Sequence, residues 1–368
     1  MRKKKRPVAV VLGTRPEIIK LAPVIRGYES RCIPYFVIHT GQHYSYEMDR
    51  IFFRDLELPD PRYQLHIRSE GNLHADHTGR MMEAVEKILV KENPRAVLVQ
   101  GDTNTVLAAS LAASKIPGIK IGHVEAGLRS YDRRMPEEIN RVLSDHVAHF
   151  LFAPTVDARS ILLSEGLSKK NIFVTGNTIV DAVRQNLAFA RRKEKGPLER
   201  GLKRRKFFLM TLHRQENVDN KKTLSSITEG LKRVIREFRL PILFSIHPRT
   251  RERLRRFGLE LPREIRAMAP VGFLDFLRLE ESAAMILTDS GGLQEEACIL
   301  GVPCVTLRTS TERPETVRVG ANRIAGHDPV EILQAAKQMF KKPRDWQNPF
   351  GDGRASERIL RIVEKSAS

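Results

Sequence analysis

The chain is poor in cysteine, poor in aromatics and short of acid. Only Cys32, Cys298 and Cys304 occur in 368 residues. The number is odd and no pair has zinc-ligand spacing, so neither a disulfide framework nor a zinc finger organises the fold. Reduced thiols in a cytoplasmic protein are the expectation. No apolar run approaches the ~20 residues that a membrane-spanning helix needs. The basic start followed by "PVAVVL" imitates a secretion signal, but Arg15, Glu17 and Lys20 follow closely and the run reads as a first β-strand. The chain has no GxxxxGK[ST] loop and no GxGxxG behind a strand, so an NTP or dinucleotide site lacks its usual support. Acid is scarce: 63 Lys+Arg stand against 44 Asp+Glu, a net charge of +19. That surplus points to an anionic partner, whether nucleic acid, a membrane surface or a phosphorylated small molecule. It clusters at 2–6 and 191–206. No aromatic residue interleaves with either cluster, as a platform for single-stranded nucleic acid requires. Solubility and exposed loops are the alternative explanation.

What is present is alternation. The length favours two domains, and a hydrophobic content of 41% suffices for packed cores. Short apolar runs predict strands over 8–12, 35–38, 96–100, 119–124, 150–153 and 172–174. A second series covers 207–212, 242–246, 265–268, 285–288 and 304–307. Amphipathic stretches with helical period lie between them, for example 75–91, 137–149 and 223–237. Strand–helix alternation predicts parallel sheets covered on both faces, hence an α/β protein with two doubly wound, Rossmann-like domains. The domains are placed at 1–178 and 179–352. A final helix, within 353–368, can pack on either domain, and a return to the first is expected. Ligands of such sheets bind beyond the carboxyl ends of the strands. The segments there are polar: "GTRPE", "HTGQH", "QGDTNT", "HVEAGLR", "TLHRQEN", "SIHPR", "TDSGG" and "LRTSTERPE".

In "LTDSGGLQEE" a strand passes into a helix at Ser290, Gly291 and Gly292. Glycines allow close approach of a ligand to the backbone, Ser290 can cap the helix, and the free N–H groups of a helix start favour anions such as a diphosphate. Glu295 and Glu296 suit the dipole, and one of them can accept from ribose hydroxyls. A plain capped turn is the alternative. "RPE" occurs at Arg15-Pro16-Glu17 and at Arg313-Pro314-Glu315, each behind a strand and opening a helix. An Arg opposes the dipole there, so it needs a compensating negative charge. Either Glu17 and Glu315 supply it, or a phosphate is held by Arg15 and Arg313 from both sides of a cleft. Thr14 and Glu17 also have capping-box spacing.

Acids cluster in the first half: Asp102, Glu125, Glu137 and Glu138. Glu137 and Arg141 have ion-pair spacing on a helix, and Asp102 has the position of an N-cap for a helix over 103–115. Glu125 directly follows a strand, where partial desolvation makes a carboxyl tunable for proton transfer. His213, also behind a strand, is a candidate proton donor, a neutraliser of leaving-group charge, or a core histidine. The His pairs in "HADH" (74–77) and "HVAH" (146–149) have metal-compatible spacing but no further ligands nearby.

Taken together and in order, "GTRPEIIKLAP", "HTGQHY", "GDTNT", "HVEAGLR", "MPEEINR", "HRQEN", "TDSGGLQEEA" and "TERPE" resemble the non-hydrolysing UDP-N-acetylglucosamine 2-epimerase family, over residues 8 to about 326. The resemblance implies a glycosyltransferase-B-like fold with the active site in the cleft between two Rossmann-like domains. The first domain would carry catalytic carboxylates and the second would bind UDP. It implies reversible conversion of UDP-GlcNAc to UDP-ManNAc without NAD or metal, by elimination of UDP to a 2-acetamidoglucal and its re-addition. Position by position, Asp102, Glu125 and Glu137 match the catalytic acids, and His213 the histidine that assists UDP. Arg15 and Lys20 match cations near the diphosphate and sugar, Ser290, Gly291 and Gly292 the phosphate loop, Glu296 the ribose contact, Arg313 the second-domain arginine and Phe276 a residue near uracil. A homodimer is expected by the same likeness, with no nucleic-acid or membrane partner. Close relatives act instead on UDP-2,3-diacetamido-glucuronic acid, and hydrolysing relatives release ManNAc and UDP. The latter usually depart from "GTRPEIIK". Some bacterial members take UDP-GlcNAc as an activator, in a segment corresponding to Gln42 and His43. A nucleic-acid-binding protein remains the reading from a different class.

Overall fold

The computed structural model describes residues 6–42, 46–65, 67, 73–192, 203–269 and 271–365, with only the backbone of 46–48. His43 and most of the two basic clusters lie outside the described residues. The chain divides into two compact units, one comprising Met1–Gln185 and Phe350–Ser368, the other Asn186–Pro349.

In the first unit helices alternate with strands in chain order: β1 (Val8–Leu12), α1 (Arg15–Ser30), β2 (Tyr35–His39), α2 (Tyr46–Asp55), β3 (Tyr63–Gln64), α3 (His74–Glu92), β4 (Ala96–Gln100), α4 (Asn104–Ser114), β5 (Lys120–Val124), α5 (Pro136–Val147), β6 (Phe150–Ala153), α6 (Val156–Ser164), β7 (Ile172–Val174) and α7 (Thr178–Arg192). The division between the units falls within α7. The second unit continues with β8 (Phe208–Thr211), α8 (Gln215–Val218), α9 (Lys221–Phe238), β9 (Ile242–Ser245), α10 (Pro248–Phe257), β10 (Ile265–Met268), α11 (Phe273–Ser282), β11 (Met285–Thr288), α12 (Gly291–Leu300), β12 (Cys304–Thr306), α13 (Pro314–Arg318), β13 (Asn322–Ile324) and α14 (Pro329–Lys341). A last helix, α15 (Ala355–Lys365), belongs to the first unit.

All eleven strands expected from the apolar runs form. The two that were not foreseen, β3 and β13, are edge strands of two and three residues. Neither has an apolar run to announce it; β13 reads Asn-Arg-Ile.

Both sheets are parallel throughout. The first has the order β3-β2-β1-β4-β5-β6-β7, the second β10-β9-β8-β11-β12-β13. In each, the chain builds outward on one side of its first strand and then returns to the other side. That reversal opens a crevice beyond the carboxyl ends of β1 and β4 in one unit and of β8 and β11 in the other. Strands buried on both faces read as unbroken apolar runs, as β1 and β4 do. On one face of the first sheet Phe36, Ile38, Val97, Val99 and Ile121 pack against Val85 and Leu89 of α3 and Val106 of α4.

The last helix docks by a specific device. Asp181 on α7 accepts the N–H groups of Ala355 (3.1 Å) and Ser356 (2.9 Å) and the Ser356 hydroxyl (2.6 Å). A carboxylate there satisfies donors that a helix start leaves unpaired. Leu360 then lies against α1, where a Cβ on Gly27 would stand 3.1 Å from its methyls. Glycine is what lets the two helices approach so closely. Among the described residues no helix is long and apolar enough to cross a membrane.

Candidate active site

In the first unit the crevice gathers three strand ends. Glu125 follows β5 with a φ of 72°, a left-handed conformation that side-chain-bearing residues rarely adopt and that tends to mark functional positions. It is 7% exposed. Lys20 of α1 reaches both of its oxygens at 2.7 Å. Gln100, at the end of β4, donates its amide, and Asn177, just before α7, donates at 3.2 Å. Lys20, Gln100 and Asn177 all donate to the Glu125 carboxylate oxygens. A buried carboxylate tied to one ammonium and two amides is held rigidly in one orientation.

Asp102 sits after β4, behind Gly101 with its φ of 84°. The N-cap expected of it is instead Thr103, whose hydroxyl accepts from Val106 N–H, and α4 starts one residue later. Asp102 is engaged elsewhere: Arg141 grips one of its oxygens at 2.9 and 2.6 Å. A charge-assisted fork is stronger than a cap bond. The expected Glu137–Arg141 pair is also corrected, since Arg141 turns to Asp102 and to Glu138 (2.7 Å). Glu137 is exposed on the first turn of α5. Glu138 is buried and anchors the preceding loop by accepting from Ser130 N–H, the Ser130 hydroxyl and Tyr131 N–H. Burial alone would raise its pKa, but these donors and Arg141 hold it below the usual carboxylate range.

The first "RPE" resolves unexpectedly. Glu17 does not compensate Arg15. It is buried, and it accepts from Gly13 N–H (2.6 Å), Thr14 N–H (2.8 Å) and the Thr103 hydroxyl (2.5 Å), pinning the end of β1 to the loop behind β4. Burial pushes its pKa up to about 7 against those hydrogen bonds. Arg15 pairs instead with Asp49 of α2 (3.3 Å), with its guanidinium 5.1 Å from the centre of the Phe52 ring. Asp49 also meets His39 at 3.2 Å.

In the second unit β8 and β11 are neighbours, with Thr211 opposite Thr288 and their hydroxyls 2.6 Å apart. Asp289 follows β11, fully buried, and reaches across. It accepts the N–H groups of His213 (2.9 Å) and Arg214 (2.8 Å) and the Asn217 amide (3.1 Å). One carboxylate therefore holds the His213 loop against the α12 start. The His213 side chain is 42% exposed, and its Nε2 lies 3.9 Å from Asp289. Burial lowers its pKa; Asp289 opposes this, and Arg214 and His247 add to it, so the site favours the neutral imidazole.

Ser290 caps α12, its hydroxyl accepting from Leu293 N–H, as the capped-turn reading requires. The glycines say more. Gly13 is required by its own protein, because a Cβ there would stand 2.0 Å from the Thr40 hydroxyl. Gly291 and Gly292 are not. Neither has a positive φ, and a Cβ would meet nothing closer than Glu312 at 3.5 Å and Ser290 at 4.0 Å. Packing and backbone conformation both tolerate alanine at this helix start.

The second "RPE" repeats the lesson of the first. Arg313 pairs with the buried Glu295 of α12 at 2.7 Å, and Glu315 lies 3.9 Å from Arg318. Arg313 also donates from Nη1 to the Glu312 carbonyl (3.0 Å). Arg308 forks onto Glu312 (2.8 and 2.9 Å). Burial opposes this carboxylate, yet the fork holds its pKa at about 2. Glu296 is half-buried on α12. It faces Glu280 of α11, whose pKa is driven well above the carboxyl range by burial and then by Glu296. Phe276, on the same helix, packs against the core cluster that includes Leu293 and Ala297.

Sequence reasoning passed over Gln100, Asn177 and Asp289. Gln100 and Asp289 lie inside the polar segments behind strands; Asn177 carried no pattern. Three of the four histidines in the two pairs have protein partners: His74 meets the Asn104 amide (3.2 Å), His146 the Val142 carbonyl (2.8 Å), and His149 accepts from Ile121 N–H (3.2 Å). Among the described residues no group of three or more His, Cys, Asp or Glu is placed to hold a metal ion.

Comparison with known proteins agrees with this picture. The family model for UDP-N-acetylglucosamine 2-epimerase matches residues 28–364. The UDP-N-acetylglucosamine 2-epimerase of Methanocaldococcus jannaschii is 53% identical over 97% of this chain and 98% of its own length. Its crystal structure in complex with UDP-GlcNAc and UDP has a TM-score of 0.86, covering 98% of this chain and 99% of that one. The Neisseria meningitidis UDP-GlcNAc 2-epimerase bound to UDP-GlcNAc is 32% identical with a TM-score of 0.88, covering 98% and 100%. A UDP-2,3-diacetamido-2,3-dideoxy-D-glucuronate 2-epimerase of Pseudomonas aeruginosa is 40% identical over 97% of this chain and 99% of its own. With a family model matching residues 28–364, and a relative 53% identical over nearly the whole of both chains, this two-sheet α/β chain belongs to the UDP-N-acetylglucosamine 2-epimerase family.

Proposed function

We propose that the chain interconverts UDP-N-acetylglucosamine and UDP-N-acetylmannosamine without hydrolysis, by elimination and re-addition of UDP. The observation that carries this is the α12 start, where two glycines serve neither packing nor backbone conformation. A group from outside is what demands the missing Cβ atoms, and N–H groups at a helix start favour an anion. The diphosphate is assigned to Ser290, Gly291 and Gly292, with Arg313 and Arg15 as cations, Glu296 as the ribose acceptor and Phe276 near the uracil.

The chemistry asked of the other unit is proton transfer at C2. That proton is not flanked by a carbonyl, so its removal must be coupled to departure of a stabilised leaving group. In the forward step a carboxylate takes the C2 proton, the C–H electron pair forms the C1–C2 double bond, and the C1–O bond electrons leave with UDP. The reverse step adds UDP to C1 and returns a proton to C2 on the opposite face. Glu125 is oriented for such work by Lys20, Gln100 and Asn177. Asp102, held by Arg141, and Glu137 complete the set of acids. His213 stands beside the diphosphate slot and stabilises the departing UDP.

Incubation with UDP-GlcNAc in D2O, followed by NMR, tests this. UDP-ManNAc with deuterium at C2 of both sugars is expected; free ManNAc as the main product refutes the non-hydrolysing route. The Pseudomonas relative motivates a second substrate, the diacetamido-glucuronate. Turnover of that sugar with no C2 exchange in UDP-GlcNAc would transfer the assignment to it. A homodimer is the assembly proposed, read out by light scattering at micromolar concentration.

A further inference from the structure

Behind the carboxylates of the first unit lies a buried charge that proton transfer at C2 does not use. His123 of β5 is 1% exposed. Its Nδ1 stands 2.7 Å from an Asp145 carboxylate oxygen and its Nε2 stands 2.8 Å from the Gly101 carbonyl oxygen. Both partners are acceptors. A neutral imidazole donates from one nitrogen only and would set a lone pair against the other oxygen. The geometry therefore calls for the doubly protonated ring.

The surroundings balance that charge. Asp145 of α5 also accepts from Gly127 N–H (3.1 Å) and pairs with Arg129 (2.7 Å), and Arg129 forks onto Glu165 (2.8 and 2.6 Å). Two cations face two anions. Burial works against the ring, yet Asp145, helped by the Gly101 carbonyl and by Glu125, holds its pKa above the ordinary histidine value. Asp145 in turn is kept below the usual carboxylate range: burial opposes it, and His123 and Arg129 outweigh burial. The titratable and charged groups around the ring are thus Asp145 on α5, Glu125 behind β5 and, through Asp145, Arg129.

We propose that His123 is a positioning residue for the acid–base site: as an imidazolium clamped between Asp145 and Gly101, it fixes the turn that presents Asp102 and lends positive charge to the neighbourhood of Glu125. The Gly101 turn has a left-handed φ; its N–H donates to the Val124 carbonyl (3.1 Å), Asn140 donates to the Asp102 carbonyl (2.9 Å), and His123 adds the hydrogen bond that holds the Gly101 carbonyl. This rests on the epimerase reading for the roles of Asp102 and Glu125. It assigns no proton transfer to His123 itself.

Two measurements test it. The first needs no substrate: nitrogen NMR of histidine-labelled protein, with the His123 signals identified by their loss in His123→Gln. Both ring nitrogens should remain protonated at pH 8, and Asp145→Asn should bring the ring into titration below that pH. A neutral ring at pH 8 in the unmodified protein overturns the proposal. The second compares His123→Gln with the parent in UDP-GlcNAc turnover and UDP binding. A misplaced site costs on the order of 100-fold in kcat, with UDP affinity unchanged. The acidic limb of kcat/KM should move to higher pH, because Glu125 loses a positive neighbour. A merely structural histidine would lower the melting temperature and leave that limb in place. An unmoved limb with kcat within twofold of the parent refutes the positioning role. An unmodified protein that epimerises nothing would instead refute the epimerase reading, and the nitrogen spectrum would still decide the charge.

Discussion

Alanine at Gly291 or Gly292 separates what the fold needs from what a ligand needs. Both residues open α12, where alanine is the better helix former by up to ~1 kcal/mol. Neither has a positive φ to lose, and the nearest atoms to an added Cβ, at 3.5 and 4.0 Å, are in ordinary contact or beyond it. Gly291→Ala and Gly292→Ala are therefore expected to melt no lower than the parent. Binding should respond in the opposite sense. A methyl between the backbone and a diphosphate removes at least one hydrogen bond to a charged oxygen, about 1.5–3 kcal/mol. That is roughly 10- to 150-fold in Kd. Calorimetric titration with UDP, beside thermal unfolding without ligand, reads both quantities on the same preparation. Unchanged UDP affinity in both variants would refute the argument that the glycines serve a ligand. A fall in melting temperature would refute the claim that the protein tolerates a side chain there.

Three other outcomes follow from the same geometry. Glu17 has its folded pKa raised from 4.5 to about 7, so its stabilising proton is held below pH 4.5 and lost as pH rises through 7. That loss is worth about 3 kcal/mol. Glu17→Gln should remove this component, so the difference in urea midpoint between parent and variant should change between pH 4.5 and 8; parallel profiles would refute it. Arg313→Ala breaks the ion pair with Glu295, whose side chain is 2% exposed, at a cost of about 3–5 kcal/mol of stability. The double change Glu295→Gln with Arg313→Ala should restore most of the stability while UDP affinity stays at least about tenfold weaker; parent-like affinity in the double variant would take Arg313 out of the UDP site. Glu125→Gln should cut turnover about 10²–10⁴-fold, with UDP affinity close to that of the parent; matched losses in both would make Glu125 a binding group rather than a base.

By itself the sequence determined the local structure. Short apolar runs bounded by turn signals read as strands, and the helical stretches alternating with them point to parallel sheets covered on both faces. The polar segments behind the strands supplied the candidate site residues, and Ser290 before two glycines located a helix start. Partners were another matter. Sequence proximity offers Glu17 to Arg15, Glu137 to Arg141 and Glu315 to Arg313, the first and last as alternatives to a phosphate. The fold gives them Asp49, Asp102 with Glu138, and Glu295. A strand order that reverses beside β1 and beside β8 is a long-range fact, written in no short window. It alone sets Thr103 against Glu17, and Asp289 beneath His213. Ion pairs and hydrogen bonds are chosen by distance in space and by burial, which raises the cost of leaving any charge alone. Only the tertiary structure assigns those distances.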